Sequence, residues 1–459
     1  MGNTETVAFT RGIVVDPDGP HRHDTTIVVR GGRIERVGPA SELAAPEGAQ
    51  VVDLRGRYVI PGLADMHQHS SFARIDLPLL VVNGVTRVRE MSGTPELHEW
   101  RRCAEAGTLL GPRSTIASRI IDGRPTLWDP DLVEVVQVTG DRDARAAVRE
   151  QLATGADFVK VYTRLPRRAL RAVADEVRRH DAHYAGHCPD HVPIAEAVTL
   201  GQRSFEHLTW TMYGASRREA EIRARLDEFQ LGEGDYNGWL NQTHPLELRA
   251  GRTFDADKAA ALFDRLAGFG ARQVPTLIMY RGLDNARTVD RDDPRRRYLP
   301  PGQLRALDTV LDEIYLKGRT PEQDADWAEV FEHRLRLVGA MHKAGVPIMA
   351  GTDGGCPAVF PGFGLHDELR LLTEAGLSTR AALRAATVEP AAFLGTRSGR
   401  IAPGYDADLV VLNGDPIADI TNTTAIHGVM IRGRYIGPGE REAILREVEE
   451  TAAGMREDG

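Results

Sequence analysis

The chain has 459 residues, of which 42% are hydrophobic and 27% are charged, and it contains 46 glycines and 26 prolines. This balance is typical of globular proteins and argues against a largely disordered chain, and the length favours two domains over one. The formal net charge of −9 provides no broad basic surface, which argues against nucleic acid as a partner.

Cysteine usage and hydropathy indicate the cellular setting. Cys103, Cys188 and Cys356 lie far apart and form no CxxC pair, so neither a disulfide framework nor a thiolate zinc site is indicated. No apolar run reaches the roughly 18 residues that a membrane span needs, and the N-terminus lacks a secretory pattern. We therefore expect a cytoplasmic protein that does not associate with membranes and that acts on a small-molecule substrate. Homo-oligomerisation is possible from the sequence.

The two ends of the chain share one sequence pattern of short predicted strands separated by turn residues. Residues 6–60 show short alternating strands, such as TTIVVRGGRIERVG, separated by Gly, Pro and Asp turn signals. Near the other end, SGRIAPGYDADLVVLNG and HGVMIRGRYIG repeat this pattern. We therefore predict that 1–60 and 398–437 form one small β-sandwich domain, with a larger domain over 61–397 inserted between them and a helical tail over 438–459.

The inserted region alternates apolar runs with helical periodicity, as expected for parallel strands joined by crossover helices. The predicted strands are 60–69, 84–91, 112–118, 156–163, 183–188, 203–208, 273–280 and 346–353. The predicted helices between them include 141–154, 166–180, 192–200 and 327–344. Eight such units predict an α/β fold, a (β/α)₈ TIM-like barrel.

Two stretches, 209–270 and 281–326, are too long for plain crossovers. Because loops after barrel strands overhang the active mouth, these insertions are candidate lids or substrate walls. Helical excursions or an oligomer contact are equally good interpretations.

Histidines and an aspartate stand at the ends of predicted strands. His67 and His69 are two residues apart, so a strand sends both side chains to the same face. His187, His207 and Asp353 close three further strands. A single buried histidine is more often an ordinary core residue, but convergence from four strands favours a metal site. Imidazole and carboxylate ligands without clustered cysteines make Zn²⁺ the default ion.

Lys160 lies inside the apolar strand ADFVKVYT, where burial of an unpaired ammonium is costly. A salt bridge to Asp157 or Glu206 is the simpler explanation for the lysine by itself. Carbamylation by CO₂ is the other, since a carbamate can bridge two cations.

The motifs together resemble a known family. HQH in the first strand, FVKVY in the fourth, GHC and EHL in the fifth and sixth, and AGTDGG in the eighth resemble the amidohydrolase superfamily. The segment GFGLHDELRLLTEAGLSTRAALRAATVEPAAFLG, followed by GRIAPGYDADLVVL, is similar to its imidazolonepropionase and prolidase-like branch, which includes Xaa-Pro dipeptidases. The resemblance covers nearly the whole chain outside the insertions and the tail.

This resemblance implies a binuclear site with two Zn²⁺, Mn²⁺ or Co²⁺ ions. The more buried ion would be held by His67, His69 and Asp353. The more exposed ion would be held by His187 and His207, and carbamylated Lys160 would bridge both ions. A hydroxide shared by the ions would attack the substrate, and Asp353 would carry its proton to the leaving nitrogen.

Three further residues are candidates for substrate contact. Tyr162 follows Lys160 by two residues and shares its face of the strand. Arg89 ends the second strand and could pair with a substrate carboxylate, or equally with Glu90 or Asp353. His366 follows the eighth strand and is a candidate substrate or supporting group, with helix capping as the alternative.

The predicted function is hydrolysis of a C–N bond in a small molecule, either in a dipeptide-like substrate or in a cyclic amide. The same metal barrel also supports decarboxylation, isomerisation, or ester and organophosphate hydrolysis, and these are the alternatives. A barrel that has lost catalysis would be free to lose ligands, whereas all six are present here.

Overall fold

The computed structural model describes residues 6–455, so the first five residues of the predicted segment 1–60 and the last four of 438–459 lie outside the described residues. The strands are β1 (Thr6–Val14), β2 (Arg22–Arg30), β3 (Arg33–Pro39), β4 (Gln50–Asp53), β5 (Tyr58–Pro61), β6 (Leu63–Gln68), β7 (Val85–Glu90), β8 (Arg113–Asp122), β9 (Val135–Gln137), β10 (Phe158–Val161), β11 (Tyr184–Gly186), β12 (Ser204–Glu206), β13 (Arg272–Val274), β14 (Leu409–Leu412), β15 (Ile426–Ile431) and β16 (Arg434–Ile436).

The helices are α1 (Asp76–Val82), α2 (Pro95–Ala106), α3 (Asp141–Ala153), α4 (Arg167–Arg179), α5 (Ile194–Leu200), α6 (Thr209–Gly214), α7 (Glu219–Asp227), α8 (Tyr236–Arg252), α9 (Ala256–Gly268), α10 (Leu277–Asp284), α11 (Pro301–Val310), α12 (Asp324–Lys343), α13 (Phe363–Glu374), α14 (Thr379–Ala385), α15 (Val388–Leu394) and α16 (Pro438–Gly454). Shorter helical segments are Ala286–Thr288, Pro294–Tyr298, Leu311–Leu316, Pro321–Gln323 and Ile420–Thr424. No helix within residues 6–455 is long and apolar enough to cross a membrane.

The central sheet is the predicted parallel barrel. Its strands pair in the order β6, β7, β8, β10, β11, β12 and β13, every pair is parallel, and β9 adds to β8. Residues 346–350 close the ring, since Met349 N donates to Gln273 O at 2.9 Å and Met66 N donates to Ala350 O at 2.9 Å. The barrel is therefore complete, with the eighth side made by backbone too irregular to count as a strand.

The small domain from both chain ends is one continuous mixed sheet. Its order is β16, β15, β14, β5, β1, β2 and β3, and β4 pairs with β1. The sheet curls, because Ile34 N at its β3 end donates to Tyr405 O at 2.9 Å, just before β14. The two layers expected for a sandwich are thus opposite ends of a single bent sheet around one apolar cluster.

Strand periodicity joins this domain to the barrel. Val59 and Leu409 face the cluster inside the small domain, whereas the next residues, Ile60 and Val410, face the core of the barrel. Because successive strand residues point to opposite faces, β5 and β14 are buried on both sides. The junction therefore fixes the start of β6, which carries the first candidate ligand.

The prediction of a strand over 273–280 is wrong for its second half. The strand ends at Val274, and α10 begins at Leu277. Thr276 between them has a φ of 49°, a left-handed conformation that neither a strand nor a helix continues through. The apolar run LIMY is compatible with either structure, so the sequence pattern alone does not reveal this break.

Both insertions are helical. Residues 209–270 contain α6 to α9, and 281–326 contains the end of α10, α11 and four short helical segments. The tail helix α16 packs on α1, where Val448 and Ala452 join Ile75 and Leu79 in a small apolar cluster.

Candidate metal centre

The six proposed ligands come from five sides of the barrel. All lie within, or just after, the carboxyl ends of strands: His67 and His69 at β6, Lys160 in β10, His187 after β11, His207 after β12, and Asp353 after residues 346–350. Since parallel strands bring their carboxyl ends to one mouth, these side chains converge there.

The Asp353 carboxylate lies at the centre of the group. Oδ1 is 3.2 Å from His67 Nε2 and 3.3 Å from His69 Nε2, and Oδ2 is 3.7 Å from His207 Nε2. Ligand atoms of His67, His207 and Asp353 all lie within 4.8 Å of one another, close enough to share one ion. His187 adjoins this group, with its ring centroid 4.7 Å from that of His207.

Lys160 is buried at the same place without a direct partner. Its side chain is 1% exposed, and burial lowers the pKa of its amine to about 8 despite the nearby negative charges of Glu206 and Asp353. Across residues 6–455, no hydrogen bond from Nζ and no carboxylate oxygen within 4.0 Å of it is found. Asp157 pairs instead with Arg101 at 2.6 Å, so the simple salt-bridge explanation lacks support.

Each of three histidines is held through its second ring nitrogen. Nδ1 of His67 lies 3.0 Å from Glu206 Oε2, and the Nδ1 atoms of His187 and His207 lie 2.7 Å from hydroxyl oxygens. These hydroxyls belong to Thr163 and Thr276. Such partners fix the ring orientation and leave Nε2 free to bind a metal, as is usual for metal-binding histidines.

Arg89 is placed beneath the centre and not in the mouth, which corrects its assignment to substrate binding. The side chain is fully buried, and Nη2 donates to Glu206 Oε1 at 2.7 Å. Nε donates to Met66 O at 2.8 Å, and Nη1 donates to Ser204 Oγ at 3.0 Å. Burial would raise the pKa of Glu206, but Arg89 together with His67 lowers it to about 2. Arg89 thus keeps the carboxylate that orients His67 ionised.

The other two candidate substrate contacts differ in outcome. His366 is buried with Nδ1 3.0 Å from Thr423 Oγ1 and Nε2 3.0 Å from Asn83 O at the end of α1. Both nitrogens are thus engaged within the fold, which corrects the assignment of His366 to substrate contact. Tyr162, in contrast, lies at the centre, with its ring stacked 3.9 Å from that of His187.

The backbone at the centre adopts rare conformations. His207, Thr276 and Asp353 have φ values of 64°, 49° and 59°, in the left-handed region that L-residues seldom occupy. Strain of this kind is concentrated at functional sites. Gly186 also has a positive φ of 125°, and a Cβ there would lie 2.9 Å from Lys160 Cδ and overlap a backbone oxygen. The glycine in the GHC motif therefore makes room for the lysine.

Three residues support the ligands in ways that the sequence did not predict. Thr163 and Thr276 carried no signal, and Glu206, which precedes His207 in the EHL motif, was considered only as a partner of Lys160. The insertions add two tyrosines near the centre. Tyr236 adjoins Tyr162 and Tyr315 adjoins Cys356, and both lie near enough to Asp353 to feel its charge, which adds to the effect of burial in raising their pKa values.

The donor set fits a divalent ion. Imidazoles and a carboxylate are ligands that zinc and similar ions accept, and three of the histidines have hydrogen-bond partners that fix their rings. A family model described as Amidohydrolase family matches residues 321–436, which include Asp353 and the three C-terminal strands, β14 to β16. This part of the chain is therefore similar to the amidohydrolase family.

Two curated relatives extend the match over nearly the whole chain. An N-acyl-D-aspartate deacylase of Alcaligenes xylosoxydans xylosoxydans is 24% identical, covering 96% of this chain and 94% of its own. An imidazolonepropionase of Cereibacter sphaeroides is also 24% identical, covering 95% of this chain and 99% of its own.

Solved structures share the fold. A bottromycin amidohydrolase superposes with a TM-score of 0.77 at 23% identity, covering 98% of this chain and 91% of that chain. A Xaa-Pro dipeptidase with bound methionine superposes with a TM-score of 0.67 at 20% identity, covering 94% of this chain and 100% of that chain. These structures confirm the barrel fold predicted from the motifs.

Proposed function

We propose that this protein is an enzyme of the amidohydrolase superfamily and that it hydrolyses an amide or cyclic amide bond of a small molecule at a binuclear metal centre. The convergence of imidazoles and the Asp353 carboxylate at the mouth of the barrel, around the unpartnered Lys160, is the observation that carries the proposal. The relatives named as a deacylase and a dipeptidase support the same bond type.

The chain would hold the ions with the six residues named above, and Lys160 would contribute as its carbamate. Bound divalent ions supply Lewis acidity and lower the pKa of water. The low amine pKa of Lys160, about 8, leaves part of the amine neutral near physiological pH, as carbamylation requires. Zn²⁺ is the first choice among ions, with Mn²⁺ and Co²⁺ compatible with the same ligands.

Asp353 is the proposed proton carrier. Its carboxylate lies within 3.3 Å of two imidazoles, and those groups hold its pKa well below the ordinary value, although burial by itself would raise it. A carboxylate at this position can accept a proton from the attacking water and deliver it to the leaving nitrogen. The rings of His67, His187 and His207 are held rigidly by their partners, so little reorganisation would accompany the reaction.

The test is a hydrolysis screen of dipeptides, N-acyl amino acids, lactams and aryl esters. The purified chain is assayed as isolated, after chelation, and after reloading with Zn²⁺. We expect turnover of at least one amide, its loss on chelation and its return with the metal. Asp353→Asn should abolish that turnover. Asp367→Asn is the control, since Asp367 pairs with Arg295 at 2.7 Å outside the centre.

Two outcomes would contradict the proposal. Amide turnover that survives complete removal of metal would exclude a metal mechanism. Metal binding with turnover of aryl esters alone, and of none of the amides, would move the assignment to the ester alternative.

A further inference from the structure

Aromatic side chains are concentrated at the mouth of the barrel, beside the candidate ligands. The group, called here the aromatic wall, consists of Trp128, Tyr162, Trp210, Tyr236 and Trp239. Aromatic residues make up only 6% of the chain and it has five tryptophans, so three of the five lie in this wall. Such a concentration next to a reactive centre indicates a binding surface.

The wall starts at a proposed ligand and runs to the first insertion. Tyr162 stacks on His187 at 3.9 Å, and Trp210 lies 4.8 Å from the same imidazole. The Trp128 ring lies 6.5 Å from that of Tyr162 and 4.8 Å from that of Tyr236. Trp128 and Tyr236 are half-buried, whereas the other three members are buried. Trp128 and Tyr236 therefore present the accessible ring surface.

A buried carboxylate fixes the back of the wall. The two oxygens of Asp190 accept hydrogen bonds from the indole nitrogens of Trp210 and Trp239, each at 2.9 Å. Trp239 in turn contacts Tyr236 with ring centroids 5.6 Å apart. Since these rings are held in place, binding a flat apolar group against them would cost little side-chain entropy.

Two donors at this place have no partner in the fold. Trp128 Nε1 is buried and makes no hydrogen bond within residues 6–455, and the same is true of Arg164 Nη1, whose guanidinium lies near enough to Asp190 to oppose the rise in pKa that burial causes there. A buried donor without an acceptor is unfavourable and rare in native structures. An oxygen atom of a bound ligand could accept hydrogen bonds from these N–H groups, and the positive charge of the Arg164 guanidinium disfavours a cationic ligand.

We propose that the substrate is an amide that carries an aromatic or large apolar group, seated on Trp128 and Tyr236, next to a carbonyl or carboxylate oxygen that accepts the Trp128 N–H. This inference rests on the proposed function for the reaction, but the wall itself is a binding surface that needs no turnover. Ring-on-ring contact supplies the preference for an aromatic group, and the indole donor supplies its orientation.

The test measures binding of two probes to the purified full chain by calorimetry. 3-Phenylpropionate offers a phenyl ring and a carboxylate, and propionate offers the carboxylate alone. Burial of the ring should make 3-phenylpropionate bind about tenfold more tightly or better. Trp128→Phe keeps a ring but removes the donor, and should weaken 3-phenylpropionate about fivefold. Tyr236→Leu should reduce the preference between the probes by a similar factor.

Trp100→Phe is the matched control, because Trp100 is a half-buried tryptophan of α2 outside the wall. It should leave both affinities unchanged. Equal affinities for the two probes in the unmodified protein would overturn the proposal, as would equal losses in Trp128→Phe and Trp100→Phe. Tighter binding of 3-phenylpropylammonium than of 3-phenylpropionate would also overturn it.

Failure of the proposed function gives a different result. A clear preference for 3-phenylpropionate together with no amide turnover in the hydrolysis screen would refute the reaction and keep the aromatic wall. Amide turnover with no probe preference would refute the wall alone.

Discussion

Glu206 connects a proposed metal ligand to a buried cation, so replacing it tests how the centre is built. Oε2 lies 3.0 Å from His67 Nδ1, while Oε1 accepts from Arg89 Nη2 at 2.7 Å. Both Glu206 and Arg89 are completely buried. Glu206→Gln keeps the size of the side chain but removes its charge, which leaves the Arg89 guanidinium uncompensated.

Two effects of known size follow from this geometry. Breaking a buried ion pair from one side costs about 3–5 kcal/mol. The unfolding entropy is about 2.1 cal/mol/K per residue, and the chain has 459 residues. Dividing the loss of stability by this total entropy gives a fall in Tm of roughly 3–5 °C. The loss of the carboxylate behind His67 should also weaken metal binding about 10–100-fold, as loss of such partners does in other metal sites.

The assay pairs calorimetric melting with competition for Zn²⁺ against a fluorescent chelator. Asp284→Asn is the matched control, since Asp284 is completely buried and accepts from Arg334 Nε at 2.8 Å in another part of the fold. It should also lower Tm, though by less because Glu247 still pairs with Arg334 at 2.9 Å, while the Zn²⁺ affinity stays the same. If Glu206→Gln lowers Tm and leaves Zn²⁺ affinity within about twofold, the positioning role of Glu206 is refuted.

Three further predictions concern the ligands and the surrounding fold. Lys160→Ala should lose most activity, and short-chain carboxylic acids should partly restore it; full activity without them would exclude the bridging role. Thr163→Val removes the hydroxyl 2.7 Å from His187 Nδ1 and should weaken Zn²⁺ binding about tenfold in chelator competition. An unchanged Zn²⁺ affinity would mean that stacking alone holds the His187 ring. Glu368 accepts a hydrogen bond from Ile278 N, and burial raises the pKa of its carboxyl to about 8. Between the ordinary pKa of a glutamate and about 8, the folded state therefore binds one more proton than the unfolded state does. The free energy of unfolding should fall as the pH rises through that range. Glu368→Gln should flatten this fall in Tm, and an unchanged slope would refute the raised pKa.

The barrel and the positions of the ligands could be predicted because both follow from local patterns. Alternating apolar runs and helical periodicity define parallel strands, and parallel strands necessarily bring their carboxyl ends to one mouth. His67 and His69 share a face because strand side chains alternate. Their meeting with Asp353, almost 290 residues later in the chain, is thus a consequence of the fold class.

The partners of charged residues could not be predicted in the same way. Arg89 finds Glu206 at a separation of 117 residues, and His366 finds Thr423 at 57. Nothing in the local sequence of Arg89 distinguishes an arginine buried in the fold from one that binds a substrate. The burial of both side chains, which depends on packing across the whole barrel, decides between these roles.

Backbone conformation and the insertions set the remaining limits. The left-handed φ of Thr276 turns a predicted strand into a strand followed by α10, and threonine carries no sequence signal for this conformation. The contribution of Tyr236 and Tyr315 to the mouth depends on how helices in the insertions pack, which periodicity alone does not define.

The ratio of metal to protein, measured by elemental analysis on chain purified without chelator, tests the proposed binuclear centre most directly. We expect about two zinc-like divalent ions per chain, the number expected when a carbamylated lysine bridges a binuclear site. A chain that binds no metal, even after dialysis against Zn²⁺, Mn²⁺ and Co²⁺ in bicarbonate buffer, would contradict a metal-dependent mechanism.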